Sequence, residues 1–186
     1  MPDSSWTLLG SRRGSDHRVF RVREDRYRIE PEGAEREFVV LEGPDWINVI
    51  PVTDEEQVVL IRQFRHGVRE VTLEIPGGMA NPGEAPADAA AREMLEETGY
   101  RARRIVQLGY VWPNPAIQDN SCYFFLAEGA RRVAEPTPDP GERIEVVLRP
   151  LAEIPAMIRA GEIRHALVVA AFGVAGVLSG ADGAPR

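Results

Sequence analysis

A layered α/β fold is what this sequence predicts: a mixed β-sheet covered by helices on both faces, with a small antiparallel β-sheet extension at the N-terminus. Three observations carry that prediction. Runs of apolar and β-branched residues at strand length alternate with turn residues along most of the chain. Residues 87–98 are rich in good helix formers and are bounded by Pro86, tolerable in a first turn, and by Gly99, a left-handed stop. Residues 163–177 form a second, mostly apolar helical stretch that closes the chain. One helix on each face of a sheet makes an α/β/α sandwich.

Taken in order, residues 6–41 read as short strands at 19–23, 27–30 and 37–41, broken at Asp25 and at Pro31, Glu32 and Gly33. Their alternating pattern suits a small antiparallel sheet with one wet face, which is marginal alone and needs a partner surface. Gly43, Pro44 and Asp45 set a boundary between an extension at 1–43 and a main domain at 44–186. Strands are expected at 46–51 and 57–64, joined by a turn at 53–56, and the unbroken apolar start of the second suits burial on both faces. Residues 71–75 lead directly into Pro76, Gly77 and Gly78. Strands at 104–111 and 121–126 flank a Pro-interrupted loop at 112–120. The Pro-rich, charged segment 131–143 reads as a loop, followed by a strand at 144–148 and a short helix at 151–160 ended by Gly161.

At 186 residues and 44% hydrophobic content, the chain suits one domain with a small appendage. Its net charge of −7, with no basic stripe, argues against a sequence-independent nucleic-acid binder. The single Cys122 excludes an internal disulfide. The first residues lack a charged head followed by an apolar run, so no signal peptide is expected. The longest apolar stretch, 166–178, has 13 residues and is too short to span a bilayer. The expectation is a soluble cytoplasmic protein with no nucleic-acid or membrane partner.

The chemistry concentrates between Gly78 and Tyr100. Gly78 is followed after five residues by Glu84, and Glu84 after seven by Arg92, Glu93, Met94, Leu95, Glu96, Glu97, Thr98, Gly99 and Tyr100. Seven fixed positions in register have a chance probability on the order of 10⁻⁹ per starting point, so the pattern is not accidental. At about 100° per residue, Glu97 lies roughly 40° from Glu93, with Glu96 roughly 60° to the other side. Three carboxylates therefore crowd one helical face, while Ala87, Ala91, Met94 and Leu95 fall on the other and are expected to be buried. Like charges so spaced destabilise a helix, and Arg92 alone does not neutralise them. A divalent cation would, and oxygen-only ligands favour Mg²⁺, with Mn²⁺ as substitute, over zinc. The plain alternative is a solvated acidic face, but Glu84 and the two glycines at fixed spacing weigh against it.

This register resembles the Nudix box, the signature of the Nudix hydrolases, whose loop-helix-loop binds Mg²⁺ and hydrolyses a diphosphate linked to a nucleoside. The resemblance implies the Nudix α/β/α sandwich and assigns metal ligation to Glu93, Glu96 and Glu97, with a contribution from the Gly77 carbonyl. It casts Arg92 as the residue that orients the glutamates and Glu84 as a buttress of the helix. Arg62, Gln63, Phe64 and Arg65 form a run that also precedes the box in ADP-ribose pyrophosphatases, and a planar guanidinium such as Arg65 can clamp a diphosphate. A further acid from a loop past the box is implied as metal ligand or general base. Glu142 fits best and Glu145 next, while Pro140 stands where some relatives carry a second acid. Pro115, fifteen residues beyond Tyr100, resembles the proline typical of that branch and stiffens a pocket wall. Trp46, Tyr27 and Trp112 are candidates for stacking on a nucleobase, or for plain packing.

What the resemblance implies is a Mg²⁺-dependent hydrolase of ADP-ribose or a related nucleoside diphosphate sugar, acting as a homodimer through an N-terminal extension exchanged between subunits. The alternatives are a GDP-mannose or broad-range hydrolase and a non-catalytic Nudix-fold ADP-ribose sensor. An intact set of box glutamates disfavours the sensor.

Overall fold

The computed structural model describes residues 5–180. The chain divides into two compact units, one formed by Met1–Asp45 with Trp112–Ser121, the other by Trp46–Val111 with Cys122–Arg186. Residues 1–4 and 181–186, the outer ends of the expected 1–43 and 44–186 division, lie outside the described residues.

In the first unit, β1 (Trp6–Asp16), β2 (Arg21–Ile29) and β3 (Ala34–Glu42) form an antiparallel sheet in that order. The expected antiparallel sheet is present, but its strands are longer than the sequence suggested. Asp25, expected to end a strand, lies buried in the middle of β2, because Arg23 Nε reaches both of its carboxylate oxygens at 3.0 Å. β1 went unread because its residues are mostly exposed and show no core-facing alternation. The loop at 112–121 runs along the outer edge of β3: the Leu41 N–H donates to the Ile117 carbonyl at 2.7 Å, and Leu41 bridges Gln118 in parallel.

The second unit is a layered α/β structure, as expected. Its strands are β4 (Trp46–Val52), β5 (Gln57–Arg65), β6 (Glu70–Glu74), β7 (Gly77–Met79), β8 (Tyr100–Arg101), β9 (Arg104–Val111), β10 (Cys122–Glu128), β11 (Arg131–Arg132) and β12 (Ile144–Pro150). The main sheet runs β12, β5, β4, β10, β9, with β6 on β5 and β7 on β4. β10 pairs β4 in parallel and the remaining pairs are antiparallel, so the sheet is mixed. β8 and β11 form a separate two-stranded pair.

Alternation along the central strands splits the core between the two faces of the sheet. Ile47, Val49, Val59 and Phe125 pack with Ala89, Ala90 and Met94 of α1 (Pro86–Thr98). Ile50, Val58, Leu60 and Phe124 pack with Ile154 and Met157 of α2 (Ile154–Arg159) and with Val168, Ala171 and Phe172 of α3 (Ala166–Val174). The expected helix at 151–160 opens with a 3₁₀ turn at Leu151–Glu153, and the closing helix is shorter than its apolar stretch. Among the described residues no helix is long and apolar enough to cross a membrane.

The buried face of α1 corrects the sequence reading. Ala87 is exposed and Ala91 and Leu95 only half-buried, whereas Ala89, Ala90, Met94, Thr98 and the charged Glu97 are buried. The helix is rotated so that its carboxylate stripe turns toward the sheet. That orientation is tolerable because the sheet offers Glu97 a backbone donor.

Candidate active site

β7 supplies that donor. The sequence assigned no strand to the Pro76, Gly77, Gly78 run, yet Gly77 and Gly78 pair with Asn48 and Ile47 of β4. Only glycine fits at 77, where a Cβ would collide with the Ile47 carbonyl, and a Cβ on Gly78 would push the Glu93 carboxylate out of its place. Helix α1 thus lies against bare backbone, and the Gly77 N–H donates to Glu97 Oε2 at 2.8 Å. Gly77 thus meets Glu97 through its N–H, and its carbonyl is the group that the resemblance implied as a ligand.

Arg92 is the hub of the acidic face. Its Nε and Nη2 grip both oxygens of Glu84 at 2.8 Å, while Nη1 donates to Glu93 Oε1 at 2.8 Å and to Glu96 Oε2 at 3.1 Å. Nη2 also donates to the Met79 carbonyl at 3.1 Å, tying the helix to the loop before it. Hydrogen bonds from Arg92 and from the Asn81 N–H bring the Glu84 pKa down to about 2. Glu84 is thereby a fixed anion that holds Arg92, the buttressing place the sequence gave it.

Glu97 and Glu93 behave oppositely. Burial raises the Glu97 pKa well above the ordinary carboxylate range, and the negative charges of Glu93 and Glu142 push it further against the pull of the Gly77 N–H. Burial likewise raises Glu93, opposed by Arg92 and reinforced by Glu96 and Glu142. Glu142 therefore shares one electrostatic environment with both helix carboxylates. Its loop is anchored to α1, since the Thr137 N–H donates to the Glu96 carbonyl at 2.7 Å. Its own carboxylate accepts from Gln63 Nε2 and from the Asp139 N–H, each at 3.3 Å. Glu145 is elsewhere: it is exposed and pairs with Arg62 at 3.3 Å on the outer side of the β5–β12 pair.

The period of two along β5 separates its basic residues. Arg62 faces outward to Glu145, whereas Arg65 lies in the field of Glu97 and Glu142. Trp46 is half-buried and packs against the core beneath α3. Tyr27 belongs to the first unit, edge-on to Trp6 and Phe38. Pro115 and Trp112 also belong to that unit and are exposed. The sequence reading missed Glu74, which is 1% exposed and grips Arg65. The available signal was a Thr and a Glu at alternate positions of an otherwise apolar strand, 71–75.

A divalent cation fits this donor set. Among the described residues no three acidic, thiol or imidazole groups already converge as a ligand set, since Arg92 holds Glu93 and Glu96. The chemistry is nonetheless that of a hard-cation site: carboxylate oxygens only, with the buried Glu97 and the half-buried Glu93 repelling one another. The carboxylates of Glu93, Glu96, Glu97 and Glu142 are the groups available to hold it.

The NUDIX domain family matches residues 44–172 of this chain. The chain belongs to the Nudix hydrolases. An ADP-ribose pyrophosphatase of Bacillus subtilis (strain 168) is 30% identical over 137 residues, covering 73% of this chain and 74% of that protein. An ADP-ribose pyrophosphatase of Mycobacterium tuberculosis is 29% identical over 154 residues, 82% of this chain and 74% of that protein. A mouse ADP-sugar pyrophosphatase is 32% identical over 144 residues, 70% and 66% of the respective chains. The crystal structure of an ADP compounds hydrolase superposes with a TM-score of 0.79 over 92% of each chain, and at 23% identity this is a likeness of fold. Membership of the family makes the protein a pyrophosphohydrolase, and Nudix hydrolases generally use divalent metals.

Proposed function

We propose that this Nudix hydrolase cleaves the diphosphate of ADP-ribose, or of a closely related nucleoside diphosphate sugar, to a nucleoside monophosphate and a sugar phosphate with Mg²⁺. The observation that carries the reading is one environment holding the buried Glu97, the half-buried Glu93, the loop acid Glu142 and the guanidinium of Arg65. Acid oxygens together with a forked cation match a metal-neutralised diphosphate. When bound, Mg²⁺ neutralises phosphate oxygens and lowers the pKa of its water. Arg65 binds and orients the diphosphate, Arg92 keeps Glu93 and Glu96 in place, and Glu142 serves as the acceptor for the proton of the attacking water. Mn²⁺ is the expected substitute.

The same reading makes the protein a cytoplasmic homodimer, with the exposed Trp6, Leu8 and Phe38 of the N-terminal sheet covered by a second copy. GDP-mannose is the second substrate to test, because Arg65 and the acids address the diphosphate and not the base or sugar.

The test is a turnover panel of ADP-ribose, GDP-mannose, ATP and diadenosine polyphosphates with Mg²⁺ and with Mn²⁺, products separated by chromatography. AMP released from ADP-ribose with the highest kcat/KM is expected. Pyrophosphate from ATP, with no AMP from ADP-ribose, would overturn the substrate assignment.

A further inference from the structure

Among the described residues, Glu74 is one of the most thoroughly buried ionisable groups, 1% exposed at the end of β6. Burying a carboxylate is costly unless its oxygens are filled, and even a filled ion pair rarely stabilises a fold better than apolar residues of the same size. Here the oxygens are filled. Arg65 donates from Nε to Oε1 at 2.8 Å and from Nη2 to Oε2 at 2.7 Å, and the Thr72 hydroxyl donates to Oε1 at 2.5 Å. Burial raises the Glu74 pKa, but Arg65 and Thr72 outweigh it and the group stays ionised.

The geometry of the hairpin says what this arrangement achieves. In the β5–β6 register Arg65 stands opposite Glu70, and Glu74 stands opposite Ile61, four residues back. The Arg65 side chain therefore lies along the strand to reach Glu74. Its side edge, Nε with Nη2, is spent on the carboxylate. Its end edge, Nη1 with the second hydrogen of Nη2, is not used by that pair, and two parallel donors on that edge match two phosphate oxygens. The side chain remains 41% exposed while Glu74 is sealed, so the accessible part of the pair is the cation alone.

We propose that Glu74, locked by Thr72, is a positioning residue that fixes the guanidinium of Arg65 with its end edge presented to the substrate diphosphate. The proposal rests on the diphosphate reading of Arg65 given above. A flexible arginine loses side-chain freedom each time it binds, whereas one already clamped loses less, so the gain falls on substrate binding. An interaction made equally in the bound substrate and in the transition state changes KM and leaves kcat alone.

Steady-state kinetics on ADP-ribose with Mg²⁺ would compare Arg65→Lys, Glu74→Gln, Thr72→Val and the Arg65→Lys/Glu74→Gln pair, with thermal melts alongside. Glu74→Gln should raise KM about tenfold with kcat within about twofold, Thr72→Val should raise it about threefold, and Glu74→Gln should add nothing in the Arg65→Lys background. If Arg65→Lys leaves KM unchanged, Arg65 is no clamp and the proposal falls with that reading. If Arg65→Lys raises KM but Glu74→Gln does not, or if the two effects multiply, the clamp stands and Glu74 does not position it. Should Glu74→Gln fail to fold, Thr72→Val decides, and an unchanged KM there overturns the proposal.

Discussion

A carboxylate 2% exposed, with one backbone N–H for company, has lost most of its hydration and regained little of it, and at Glu97 the nearby charges of Glu93 and Glu142 add repulsion. Its folded pKa lies above its unfolded value, so the folded state binds the proton more tightly and metal-free stability falls as pH rises from about 4.5 through the folded pKa. Metal-free Glu97→Gln should therefore melt higher than the metal-free parent at pH 8, with the advantage shrinking toward pH 5, while added Mg²⁺ stabilises the parent alone. The same substitution should lower kcat by a factor of roughly 10² or more, as should Glu93→Gln. Near-normal turnover in a folded Glu97→Gln protein would take the helix carboxylates out of the mechanism. Glu84 has the opposite sign. Its folded pKa is depressed to about 2 by Arg92 and the Asn81 N–H, so its contribution is full above 4.5 and lost as pH falls through about 2. The melting difference between the parent and Glu84→Gln should be constant from pH 5 to 7 and shrink toward pH 3. A difference that grows on acidification would contradict the pairing. Within the loop, Glu142→Gln should slow turnover and Glu145→Gln should not, since only Glu142 shares the field of Glu93 and Glu97.

Helix α1 brings these residues together, and its C-terminal end also holds the loop that carries Glu142. Gly99 has φ 73°, donates its N–H to the Leu95 carbonyl at 2.8 Å and accepts from the N–H groups of Val133 and Ala134. A Cβ there would strike the Ala134 carbonyl, whereas Gly83, at φ 79°, has open space around it. Both Gly→Ala changes carry the left-handed cost of about 1–2 kcal/mol, but only Gly99→Ala must also displace backbone. Urea titration should show a larger loss for Gly99→Ala, accompanied by slower turnover as the loop shifts; equal losses would mean that the loop does not depend on this cap. At this scale the sequence was legible where pattern and packing agree. The Gly78 to Tyr100 register located the helix and its acids, and the apolar starts of β4 and β5 located the central strands. It was less legible where tertiary contacts decide. Helical periodicity placed Glu97 on an acidic face but could not say that this face turns inward onto Gly77. A Pro-Gly-Gly run carries no sign of strand pairing with β4, and Asp25 inside β2 depends on Arg23. Glu74 drew no reading because its meaning lies in a partner nine residues away.

For the whole molecule, the question is what covers the N-terminal sheet. Trp6, Leu8 and Phe38 are each 40% exposed or more, and the rings of Trp6, Tyr27 and Phe38 stand edge-on with centroids 5.8 to 6.3 Å apart. A rigid aromatic patch of this kind is what protein interfaces select, because its area is presented at little cost in side-chain freedom. If a second copy covers this sheet as proposed, the sheet of one copy would supply the nucleobase wall of the other, and assembly and substrate preference would be linked. Deleting residues 1–42 would be a blunt test, since it would also strip Leu41 from its hydrogen bond to Ile117 and free the loop that carries Pro115. A Trp6→Ser/Phe38→Ser variant leaves those backbone bonds in place. Sedimentation at micromolar concentration should give twice the chain mass for the parent and the chain mass for the variant. The variant's kcat/KM for ADP-ribose should fall at least tenfold, by about 1.4 kcal/mol of transition-state binding or more, with little change for ATP. A parent that sediments as a monomer, or a monomeric variant with undiminished preference for ADP-ribose, would show that each chain builds its nucleobase wall alone.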